Sequence, residues 1–117
     1  MPVLIVYGIP ENFPKLEKLA EILIDTTAWS IRELNLKTSD VSCFFPKNLL
    51  LKGAVKEIVI FVDGLLEGSR DVRYDLARKL VRSTNNFFEI NNLSLDKIEC
   101  IIRPFDLGQG FSSLCKD

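Results

Sequence analysis

Residues 58–62 read IVIFV and are halted by Asp63-Gly64. Five consecutive apolar residues, mostly β-branched and closed by a turn pair, predict a strand buried on both faces. A near counterpart opens the chain, where residues 3–7 read VLIVY and end at Gly8. Each run is followed by a segment of helical period. Behind the first, Leu16, Leu19, Ala20, Leu23 and Thr27 recur at helical spacing, with Pro14 in the first turn where its missing N–H costs nothing. That helix is expected to end near Ala28 or Trp29. Behind the second, Ser69 can cap a helix striped by Val72, Leu76, Ala77, Leu80, Val81, Thr84 and Phe88, with Asp71 suited to its positive start and Asn91-Asn92 at its end.

Both helices lead into another extended run closed by proline, residues 41–45 before Pro46 and residues 97–103 before Pro104. Ser30-Ile31-Arg32-Glu33 has the form of a capping box and predicts an extra helical turn. The pattern strand, helix, strand therefore occurs twice at nearly equal length, Val3 to Val41 and Ile58 to Ile98. Each crossover makes a parallel strand pair by the right-handed rule, which predicts an α/β (α+β) fold, a four-stranded mixed sheet with two helices on one face. The chain reads as a single domain over residues 1–117: repeat one at about 2–46, a connection at 47–56, repeat two at about 57–104 and a tail at 105–117. The connection fits either a short edge strand or a helical turn. A sheet this apolar needs its other face covered, and no residues remain for another layer, so self-association is expected.

Composition narrows the function. The chain of 117 residues is 47% hydrophobic with a net charge of -1, enough for a core but without the basic face that nucleic acid requires. No apolar run is long enough to span a membrane, and the start Met1-Pro2-Val3 lacks the form of a secretory signal. Three cysteines, Cys43, Cys100 and Cys115, have no C-x-x-C spacing, which suits a reducing cytoplasmic setting. The absence of histidine removes the Ser-His and Cys-His nucleophile pairs. Acid-base work falls to carboxylate, Lys, Tyr, Cys or a terminal amine.

Met1-Pro2 opening directly into a strand, the two β-α-β units, Pro46, Asp63-Gly64 with Gly68, Tyr74, and Gly110-Phe111 occur in an order that resembles the tautomerase superfamily, which includes macrophage migration inhibitory factor and oxalocrotonate tautomerase-like enzymes. The resemblance covers most of the chain and implies a homotrimer acting without a cofactor on a small keto or enol acid. It implies that Pro2, freed by removal of Met1, is the general base, because an apolar pocket disfavours the charged amine and brings it toward neutrality. The plainer reading of Pro2 is an ordinary proline at the start of a strand. The supporting cation falls at Lys37 or Arg32, each of which also reads as a solvated surface charge. Asp63 falls where the family offers a backbone N–H, but its carboxylate departs from the pattern and repels an acidic ligand; a turn residue before Gly64 is its simpler role.

Glu99 and Ile101 stand where the cytokine branch has a tyrosine and an asparagine. Arg103 shares their strand face and either replaces a lost cation or pairs with Glu99. Phe111 matches the family's C-terminal aromatic wall. Leu65 and Leu66 replace the arginine pair of the decarboxylase and dehalogenase branches, which disfavours those activities. Two alternatives stay open beside a tautomerase: a trimer that keeps the fold as a binding protein, and a ferredoxin-like ligand-binding module, which shares the element order.

Overall fold

The computed structural model describes residues 2–10, 13–30, 37–47, 56–66, 70–105, 112 and 114. Their elements are β1 (Val3–Tyr7), α1 (Leu16–Ser30), a short 3-10 turn (Thr38–Asp40), β2 (Ser42–Phe44), β3 (Glu57–Leu66), α2 (Arg70–Ile90) and β4 (Lys97–Phe105). The four strands form one sheet in the order β2-β1-β3-β4. β1 is parallel to β2 and antiparallel to β3, and β3 is parallel to β4. Each helix thus joins two adjacent parallel strands. A ferredoxin-like module splits its β-α-β unit with an intervening strand, so that alternative does not describe this sheet.

The helices cover one face. Leu4 and Val6 of β1 and Ile58, Ile60 and Val62 of β3 are fully or almost fully buried against Leu19 and Leu23 of α1 and Leu76, Leu80 and Phe88 of α2. Each such side chain contributes roughly 1.5–3 kcal/mol by leaving water. Two threonines share this core without cost to their hydroxyls. Thr27 donates to the Leu23 carbonyl and Thr84 to the Leu80 carbonyl, both at 2.8 Å. The expectation that β1 and β3 are buried on both faces is half met in the single chain, because the alternate residues Val3, Ile5, Val59 and Phe61 are only partly covered.

Several boundaries move for local reasons. β3 does not stop at Asp63-Gly64. Gly64 takes φ 76, the register slips between Asp63 and Leu65, and the bulged strand runs on to Leu66. β2 starts later than expected because Val41 closes the 3-10 turn, donating its N–H to the Thr38 carbonyl at 3.3 Å. Ser30 lies inside α1, its hydroxyl donating to the Thr26 carbonyl at 2.5 Å, and so does not head a capping box; residues 31–33 lie outside the described residues. α2 ends as expected: Asn92 adopts φ 59, and the Leu93 N–H returns to the Phe88 carbonyl at 2.8 Å. β4 passes through Pro104 at the sheet edge, where a proline loses no ladder bond. Residues 48–55 of the connection, where a short edge strand or a helical turn is expected, and the tail aromatic Phe111 lie outside the described residues. Among the described residues, no helix is long and apolar enough to cross a membrane.

Candidate active site at the Pro2 end of the sheet

The strand directions bring four chain segments to one end of the sheet: the starts of β1 and β2 and the finishes of β3 and β4. Pro2 stands there, buried, with its carbonyl accepting the Ser42 N–H at 3.2 Å. By strand alternation Pro2 follows the parity of Leu4 and Val6, the helix-covered side. Its nitrogen, however, belongs to the backbone at the very end of the strand, so side-chain parity does not set which face can reach it. Lys37 precedes the 3-10 turn that leads into Ser42, and so approaches the same end. It is exposed, and its backbone N–H donates to Asp40 Oδ2 at 2.9 Å.

The open face is ordered in transverse rows. Ser42, Val3, Asp63 and Arg103 form the row nearest Pro2; Phe44, Ile5, Phe61 and Ile101 form the next; Tyr7, Val59 and Glu99 follow. Within the first row Arg103 clasps Asp63 with two parallel bonds, Nε to Oδ1 at 2.5 Å and a terminal nitrogen to Oδ2 at 2.6 Å. The carboxylate holds the Arg103 guanidinium above its ordinary value, chiefly through that hydrogen bond. The guanidinium also lies 4.3 Å from the centroid of the Phe61 ring, which meets Tyr7 edge-on at 5.8 Å. Glu99 is not the partner of Arg103. It bonds Lys97 instead, which raises the lysine's pKa.

The geometry therefore joins Asp63 with Arg103 and sets Ile101, 41% exposed, beside Phe61 in the neighbouring row. Arg32 and Phe111 lie outside the described residues. Asp63 is a strand residue at a bulge with a paired side chain, rather than the free turn residue expected. Phe61 and Tyr7 were missed as site neighbours. Alternation within IVIFV and VLIVY carries the signal, since both residues take the parity opposite to the core.

No protein-family model matches the sequence, and neither does any curated protein. Solved structures do match. A fused 4-OT, a wild-type symmetric trimer, superposes with a TM-score of 0.67 at 13% identity over 88% of this chain and 85% of that one. A 5-carboxymethyl-2-hydroxymuconate delta-isomerase superposes with a TM-score of 0.67 at 8% identity over 88% of this chain and 83% of that one. The chain has the tautomerase fold. A third structure of similar shape, Pt0534 inactivated by 2-oxo-3-pentynoate, has a TM-score of 0.58 and 14% identity over 88% of this chain and 85% of that one. Sequence identities this low carry the tautomerase fold and leave the chemistry to the residues.

Proposed function

We infer that the protein is a tautomerase-type isomerase in which the nitrogen of Pro2, freed by removal of Met1, moves a proton between two positions of a small keto or enol acid. The burial of Pro2 where the strand ends converge carries this reading. Burial disfavours the ammonium form and so favours a free base. The nitrogen takes a proton from the carbon beside the carbonyl, the C–H electron pair becomes the enol double bond, and the same N–H returns the proton to the other terminus. The reaction consumes nothing and needs no cofactor.

In this reading Lys37 or Arg32 is the cation that meets the developing enolate oxygen, with Ile101 and Phe111 as apolar walls. Arg103 is a weaker candidate because Asp63 neutralises it in place. The fused 4-OT of the same fold is a symmetric trimer. The partly exposed sheet face supports an equivalent homotrimer here, with each pocket completed by a neighbouring copy, and a cytosolic setting suits its unpaired cysteines. The clasp also favours a second reading. A fold that has spent its strand-end cation on a carboxylate can serve as a trimeric binding protein without proton chemistry.

The 2-oxo-3-pentynoate that inactivates Pt0534 is a small keto acid whose conjugated alkyne accepts an amine. Incubation of this protein with it is expected to add the mass of one inhibitor to the peptide beginning at Pro2, the N–H proton moving to the alkyne carbon. Ketonisation of phenylenolpyruvate should fall roughly 100-fold or more in Pro2→Ala. Equal rates, or a retained Met1 in the cellular protein, leave only the binding reading.

A further inference from the structure

The helix layer carries two outward features that the proposed chemistry does not use. On α2, Tyr74, Ala77, Arg78, Val81 and Arg82 line a shallow groove of about 250 Å³. Their spacing of three and four residues lays them along one flank. Ser83, which meets Thr26 of α1 at 3.3 Å, lies roughly half a turn round the helix from Tyr74, so the groove opens away from α1. Ala77 and Val81 form an apolar floor. The Arg78 guanidinium sits 5.0 Å from the Tyr74 ring centroid and 3.5 Å from Asp75, whereas Arg82 has no ion-pair partner among the described residues. The space lies below the ~300–1,000 Å³ typical of small-molecule sites and suits one large side chain.

On α1, Glu17, Glu21, Asp25 and Trp29 recur every fourth residue and form a single ridge. Trp29 is the chain's one tryptophan and is 71% exposed. Asp25, one turn before it, is exposed and has no ion-pair partner among the described residues. An acidic ridge ending in an exposed indole thus stands on the same layer as an apolar groove walled by guanidinium groups.

We propose that Trp29 of one copy enters the α2 groove of a second copy, its ring against Tyr74 and a guanidinium, while Asp25 meets Arg82. The two pairs are commensurate, because Asp25 to Trp29 and Arg78 to Arg82 are both one helical turn. Trp and Arg at the centre of such a contact are the residue types that dominate interface energetics. Because the ridge and the groove are different surfaces of one chain, the contact joins copies either reciprocally about a two-fold axis or head to tail. It lies on the layer opposite the open sheet face and is independent of association there.

Trp29 emission reports the contact directly. Raising the purified chain from micromolar to millimolar concentration should shift the emission to the blue and protect it from acrylamide, while light scattering shows species larger than the dilute assembly; high salt reverses both changes. Arg82→Asp and Asp25→Arg should each raise the midpoint concentration about tenfold or more, and the double variant Asp25→Arg/Arg82→Asp should restore it. These exposed substitutions leave the fold intact by circular dichroism. Emission that ignores concentration overturns the proposal, as does a shift that survives Arg82→Asp. If wild-type copies stay apart while the groove captures a synthetic acidic peptide carrying tryptophan, the groove belongs to another protein and the self-contact is lost.

Discussion

Cys43 and Cys100 face the helix-covered side of the sheet, and burial pushes both thiols up from 9.0 to about 12. Their folded-state values exceed their unfolded ones, so their contribution to stability is complete below about 9 and is lost as pH rises from there through about 12. Urea midpoints should therefore be level near neutrality and decline above about 9, with a shallower decline in Cys43→Ala/Cys100→Ala. The comparison with the double variant isolates the thiols, and identical slopes would remove them as the cause. At the same scale, the Asp63–Arg103 clasp shows what the sequence concealed. Glu99 lies four residues from Arg103 on the same strand face and looks like its natural partner along one strand. Asp63 is forty positions away and becomes a neighbour only through the β3–β4 register, which no local pattern reveals.

Elements were legible where their cause is local. The two apolar runs, the helical stripes and the Asn91-Asn92 stop each depend on residues a few positions apart, and each appears in place. The length of β3 was not legible, because Asp-Gly is a turn signal in isolation and becomes a bulge only when β4 continues to pair beyond it. Gly8 and Gly64 both hold positive φ, 94 and 76. A Cβ on Gly8 would stand 2.2 Å from the Glu57 carbonyl oxygen, where β1 leaves β3. Gly64→Ala should cost about 1–2 kcal/mol, the strain of a left-handed residue. Gly8→Ala should cost more, about 2–4 kcal/mol, because the start of β3 must also move. Urea denaturation of both variants decides the matter, and equal losses would mean the Glu57 approach carries no energy.

At the scale of the whole molecule, one fact from the sequence remains unanswered within a single chain: the sheet has more apolar surface than two helices can cover. Tyr7, Phe44 and Ile101 are 42%, 58% and 41% exposed on the open face, with Val3, Ile5, Val59 and Phe61 only partly covered among them. The ion pairs Asp63–Arg103 and Lys97–Glu99 lie along the β4 side of that face, so the apolar band is bordered by charge rather than interrupted by it. Such a surface loses free energy in water and regains it against another copy, and a closed assembly satisfies every copy equally. Ile5→Lys/Phe61→Lys places two charges at the centre of the band, on the paired central strands, without touching the core, whose residues have the opposite parity. The wild-type chain should scatter light as a trimer, and the variant as a monomer with unchanged circular dichroism. Any isomerase activity should vanish with the trimer, since the pocket at Pro2 then lacks its neighbouring wall. Full activity in a monomeric variant would place the whole site within one chain, and a wild-type monomer would leave the apolar band without its proposed partner.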